Sequence, residues 1–206
     1  MVTGGTRFFT GPLKSGQAPE RLRQVWSDFL GMLAAAALAA VMTEDLPAQA
    51  STPTEYEVQA AYLTRFGSFI QWPSTAPSEG PFTICVLGID PFGPALDAAV
   101  EGQTVQGRPV LARRIVQPRS VQPCHILFIS ASEEARLEEI LAALGNSSTL
   151  TVSDMPRFTL RGGMLQFTLV GSNVRFEVNE TRAERAALTF SSQLLRLAVS
   201  VRREGE

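Results

Sequence analysis

The chain is poor in the residues that most often carry chemistry. Among its 206 residues there is one histidine, His125, one lysine, Lys14, and two cysteines, Cys85 and Cys124. A Ser-His-Asp arrangement would have to use His125. That residue opens the apolar run HILFIS, where a structurally satisfied or edge histidine is the expected reading. Zinc clusters need several closely spaced sulfur and nitrogen ligands, and neither the cysteine spacing nor the lone imidazole provides them. Basic residues form no run and no stripe with aromatics, and the formal net charge is -2. A nucleic-acid partner, which requires clustered Lys and Arg against phosphates, is therefore not expected. The apolar run FLGMLAAAALAAVM, residues 29–42, holds 14 residues, short of the about 20 that span a bilayer.

What is present is an ordinary globular composition, 45% hydrophobic and 18% charged, enough for one domain with a core. The amino terminus stands apart from it. Arg21 and Arg23 precede the apolar run, LPAQA follows it, and Ala48 and Ala50 fit an A-x-A cleavage site. This order reads as a secretory leader cut after Ala50, with residues 1–50 as leader and extension and 51–206 as the mature, exported domain. The long basic segment and Asp28 at the edge of the run keep an uncleaved anchor as the competing reading. The mature part carries 14 arginines against 16 acids.

Export changes how the cysteines are read, because an even count in an oxidising compartment suggests a bridge. Cys85 lies in FTICVL and Cys124 just before HILFI, both of strand type. Neighbouring strands would bring the pair within bonding distance, and two buried free thiols are the alternative.

Along the mature chain, Thr54 and Glu57 match a capping box. Val58, Ala61, Tyr62, Phe66 and Phe69 recur at helical spacing, and Pro73 ends that helix. FTICVLG (82–88), PVLARRIV (109–116), HILFIS (125–130) and STLTVS (148–153) read as strands. Asp90 with Pro91 is expected to open a short helix, and Ser132 to cap another reaching Leu144. MLQFTLV and NVRFEVN form a hairpin across Gly171-Ser172, with Val174, Phe176 and Val178 on one face and Arg175 and Glu177 on the other. A closing helix is expected from about Thr181, with Leu188, Ser191, Leu194, Leu195, Ala198 and Val201 at helical spacing. The predicted architecture is α/β: a single domain with a mixed sheet flanked by helices, a C-terminal hairpin and a closing helix.

No catalytic set stands out. Glu133, Glu134, Glu138 and Glu139 read as a solvated helix face, and Asp90 and Asp154 as turn residues. The strand-turn-helix at GIDPFG lacks the dinucleotide fingerprint, because Asp90 repels an anion and Pro91 removes a donor. The carboxyl end of that strand, Asp90 to Gly93, is nonetheless where a small-ligand pocket would be sought. No metal or cofactor is expected.

Seven motifs occur in order: AAYLTRFGSFIQWP, GIDPFG, CHILFIS, LTVSDMPRF, GGMLQF, VRFEVN and SSQLLRLA. Together they resemble the YfiR-like family of exported bacterial proteins, over nearly the whole mature chain. What the resemblance implies is regulatory. It implies a periplasmic, non-enzymatic protein that binds and represses an inner-membrane signalling protein, most directly a diguanylate cyclase, and so lowers cyclic di-GMP. It also implies a homodimer and an outer-membrane lipoprotein able to sequester the repressor. Cys85 and Cys124 look like one of the family's disulfide pairs, and a second pair has no counterpart in this sequence. Relatives serving sensor kinases or outer-membrane receptors make a small-ligand-binding sensory module the alternative function.

A protein that works by binding others has reason to expose aromatic surface. Phe69, Ile70 and Trp72, crowded at a helix end with Arg65 beside them, are the expected partner anchors, and core packing is the competing reading. In the closing helix, small Ser191 beside Leu194 and Leu195 is expected to allow close packing, within the domain or across a dimer.

Overall fold

The computed structural model describes residues 53–74, 76–117 and 124–203. The predicted leader and its cut after Ala50 lie outside the described residues. Helix α1 (Glu55–Phe69) starts at Thr54, whose side chain accepts from the Glu57 amide while the Glu57 carboxylate accepts from the Thr54 amide. This is the predicted capping box, satisfying donors that a helix start leaves unpaired. Strands β1 (Ile70–Gln71) and β2 (Phe82–Leu87) follow. Then come α2 (Pro94–Val100), β3 (Thr104–Val105) and β4 (Arg108–Ile115). Strand β5 (Ile126–Ile129) leads through a 3-10 turn (Ala131–Arg136) into α3 (Leu137–Leu144), then β6 (Leu150–Ser153), β7 (Leu165–Val170) and β8 (Asn173–Asn179). The chain closes with α4 (Glu180–Arg185), β9 (Thr189–Phe190), α5 (Ser192–Leu197) and β10 (Ser200–Arg202).

Eight strands form one mixed sheet in the order β10-β8-β7-β6-β5-β2-β4-β3. Strands β4, β2, β5, β6 and β7 run parallel, β8 returns antiparallel to β7, and β10 pairs parallel to β8. The central strands are buried on both faces, as continuous apolar runs require. Ile84 and Val86 of β2 face one core layer with Leu63 and Phe66 of α1. Cys85 and Leu87 face the other layer with Ile140 of α3 and Phe158. In β8 the predicted alternation holds, with Val174, Phe176 and Val178 buried and Arg175 exposed.

Three local expectations differ from the structure. Asp90 does not cap a helix; its carboxylate accepts from the Phe92 amide in a turn, and α2 begins at Pro94 after Gly93. The second capping serine is Ser130, with Ser132 inside the 3-10 turn. The closing segment is two short helices separated by strand, because Ala187 takes a positive φ of 57° and Leu188 turns into the core. Strand β9 then pairs with β1, Ile70 against Phe190. Side-chain spacing alone cannot register a pairing with a strand so distant in the chain. Gly67, which weakens α1 as an isolated helix, has a packing role: a Cβ there would stand 2.8 Å from Val105 and 3.0 Å from Phe82.

Candidate functional site

Cys85 and Cys124 form a disulfide, with Cα atoms 5.8 Å apart and both residues buried. The bond ties β2 to the entry of β5, its neighbour in the sheet.

The four expected anchor residues do not make one patch. Ile70 is 3% exposed, turned into the core by its pairing with Phe190. Trp72 is half-buried; its indole N–H donates to the Gly67 carbonyl at 3.2 Å, and its ring meets Phe82 edge-on at 5.4 Å. It lines a hollow of about 150 Å³ with Phe82, Arg108 and His125. Arg65 is exposed and Phe69 half-buried. These two line a separate groove of about 360 Å³ between α1 and α2, with Thr64, Ser68, Ala99 and Gln103. Helical spacing put Arg65 and Phe69 together; the turn at Phe69 and Ile70 sends Trp72 to the other side.

The closing segment behaves similarly. Ser191 caps α5, its hydroxyl accepting from the Leu194 amide, and its own amide donates to the Phe69 carbonyl. Leu194 is buried in the core and Leu195 packs against it. These residues therefore join α5 to α1 within the domain. The outward side chains include Arg196 and Leu197. Leu197 and Val199 are exposed, as are Leu169 and Val170 at the hairpin tip of β7 and β8. No spacing rule singled out that apolar tip, because its residues come from one strand, one helix and the connection that follows the helix.

At the carboxyl end of β2, the expected place of a small-ligand pocket, the chain's own polar groups bind one another. Asp90 binds Arg114 at 2.8 Å, and Arg114 also holds Asp97 and the Gly93 carbonyl. The Ile89 amide donates to the Ser132 hydroxyl, and a Cβ on Gly88 would meet that hydroxyl at 2.5 Å. Glu134 pairs with Arg161 and Glu139 with Arg136 on the exposed surface, while Glu133, its side chain largely covered beside Gly88, also pairs with Arg136. No metal-holding group of His, Cys, Asp and Glu occurs among the described residues.

Two polar fasteners escaped sequence reasoning. Arg108 donates to the carbonyls of Pro77, Glu79, Gly80 and Pro81, lashing that segment to β4. Tyr56 donates to Asp154 at 3.3 Å, joining the start of α1 to the end of β6. Burial raises the Asp154 pKa, against the lowering effect of hydrogen bonds from its own amide and from Tyr56. A raised carboxyl pKa means the fold favours the neutral acid. Its contribution is fully present below the unfolded value and is lost as pH rises through the folded one. Asp154→Asn, which keeps an acceptor for Tyr56, is expected to be more stable than the parent at neutral pH. That advantage should fade in acid, and urea unfolding at both pH values measures it.

A family model described as YfiR/HmsC-like matches residues 56–199. No curated protein matches. Among solved structures, a conserved domain protein from Vibrio cholerae O1 biovar El Tor is similar with a TM-score of 0.50 at 12% identity, covering 72% of this chain and 60% of that one. The ABC domain from Streptococcus pneumonia, solved in complex with L-Trp, has a TM-score of 0.49 at 10% identity, covering 69% of this chain and 60% of that one. The first likeness shows the fold alone, and the chain spans 60% of the length of each structure.

Proposed function

This chain belongs to the YfiR/HmsC-like family, and we propose that it is an exported periplasmic regulator that binds and represses an inner-membrane signalling protein, most directly a diguanylate cyclase, lowering cyclic di-GMP. The observation that carries this reading is the family match across residues 56–199, almost the whole described domain. The side-chain inventory supports it. The lone histidine has both ring nitrogens engaged, and the acids near the strand ends are held by Arg114 or Tyr56. Such a domain acts by presenting surface. The reading includes a homodimer and capture by an outer-membrane lipoprotein.

The groove bearing Arg65 and Phe69 is our choice for the contact with the membrane protein. It combines an exposed arginine with a partly covered aromatic ring, two residue types enriched in protein interfaces. The test begins with cellular cyclic di-GMP in a deletion strain against its parent. The level is expected to rise, and to be restored by the intact gene but not by one lacking residues 1–50. Arg65→Glu combined with Ser68→Arg, both on exposed positions, is expected to raise cyclic di-GMP toward the deletion level. Stability should move by no more than about 0.5 kcal/mol, as for surface changes generally. An unchanged level in the deletion strain would remove the cyclase as the target.

A further inference from the structure

We propose that His125 is an acid-sensitive latch at the amino-terminal end of the sheet: the neutral ring fastens Pro77 and the first rung of β2, and the protonated ring withdraws from both, leaving the 77–81 segment held by Arg108. This inference concerns the fold of the chain and stands apart from the identity of any membrane partner.

The geometry is specific. His125 is 1% exposed. Its backbone amide donates to the Thr83 carbonyl at 2.9 Å. In return the Thr83 amide donates to the ring Nδ1 at 3.0 Å. The ring therefore stands in for a strand carbonyl and adds one rung to the ladder between β2 and β5. Its other nitrogen, Nε2, lies 2.8 Å from the Pro77 carbonyl. Because Nδ1 accepts and Nε2 faces a carbonyl, the proton must be on Nε2. The ring stacks on Phe82 with centroids 4.4 Å apart and meets the edge of Trp72.

A second proton would go to Nδ1 and point at the Thr83 N–H. Two donors would then face each other with no acceptor, inside a buried site. The new positive charge would also lie near the Arg108 guanidinium. Among the described residues the other neighbours bring no compensating charge. Cys124 is in the disulfide, Phe82, Thr83 and Trp72 are uncharged, and Glu79 of the covering segment is exposed. The imidazolium can be accommodated only by leaving the Thr83 amide and swinging away from Phe82, which takes the support from Pro77. Burial holds the His125 pKa below its ordinary value, with the Arg108 charge adding to this and the bond to Pro77 opposing it. The latch therefore contributes stability above the ordinary histidine pKa and loses it as pH falls through the lower folded value.

The opening is local. The Cys85–Cys124 bond ties β2 to the entry of β5 immediately beside the latch, so the rest of the sheet stays paired. What opens is the hollow of about 150 Å³ whose wall includes Trp72 and Phe82. Acid would thus uncover the buried Phe82 ring beside the half-buried Trp72.

His125 is the only histidine in the chain, so one imidazole C2–H resonance reports it in the untagged full-length protein. The resonance is expected to titrate with a midpoint below about 6.5. The protection factor of the Thr83 amide against hydrogen exchange should fall by about tenfold per pH unit as pH drops from the ordinary histidine value to that midpoint, while the amides of Leu127 and Phe128 stay protected. In His125→Asn, whose side-chain carbonyl can take the place of Nδ1, the Thr83 protection should no longer depend on pH in this range. A midpoint at or above the ordinary value would overturn the proposal. So would unchanged Thr83 protection across the midpoint in the native chain, or loss of protection throughout the sheet in the same step. The native-chain titration decides the matter even if the variant fails to fold.

Discussion

Phe66→Ala is expected to destabilise the domain by about 4 kcal/mol, whereas Arg65→Ala, one residue earlier, should change stability by about 0.5 kcal/mol or less. The two side chains leave the same helix turn in different directions. Phe66 is 1% exposed and packs against Tyr62, Phe167 and Phe176, with centroids 5.3–5.8 Å apart. Removing its ring takes away buried apolar area and leaves a cavity that rigid strands β7 and β8 cannot collapse to fill, so the transfer and cavity costs add. Arg65 has neither cost. Urea unfolding with linear extrapolation would resolve the difference. A loss below about 2 kcal/mol for Phe66→Ala would mean that the aromatic cluster relaxes around the gap, contrary to a close-packed layer.

Replacing both cysteines, Cys85→Ala with Cys124→Ala, is the second large effect. The bridge spans a sequence separation of 39 residues. Closing a loop of that length restricts the unfolded chain by roughly 4 kcal/mol in the chain-entropy model. For a domain of this size that is a fall in melting temperature of about 10 °C. Both cysteines are buried in the second core layer, so some additional packing loss is expected. Scanning calorimetry on the parent with and without reductant gives the same comparison without mutation. A shift of less than about 2 °C would mean that the reduced chain already keeps these two strand segments together when unfolded.

Much of the fold is local information, and it was readable for that reason. The runs FTICVL and HILFI announce central strands because all but Thr83 and His125 in them are apolar, and both prove buried on both faces. VRFEVN announces a strand with one wet face because its alternation has period two, and Arg175 and Glu177 do lie on the more exposed side. Thr54 and Glu57 mark a helix start because a cap needs only residues three apart. The cysteine pair was readable only as a choice between bridge and thiols, since adjacency of β2 and β5 is a property of the sheet.

The remainder depends on contacts that no window of sequence contains. The stretch ERAALTFSSQLLRLAV has helical spacing, yet it breaks at Ala187 so that Phe190 can reach Ile70. That pairing decides that Ile70 faces the core, while Phe69 before it is left half-covered beside Arg65 in the groove. Arg108 reads as one more surface cation until the fold brings four carbonyls of the 77–81 segment to it. His125 reads as an inert strand residue until the sheet places the Thr83 amide on one ring nitrogen and the Pro77 carbonyl at the other. Hydrophobic period and capping are short-range effects, so the sequence alone determined the six longer strands β2, β4, β5, β6, β7 and β8, the first helix and the class of the fold. Which apolar residue is covered, and which polar group is held, depends on partners far along the chain, and only the tertiary structure decided them.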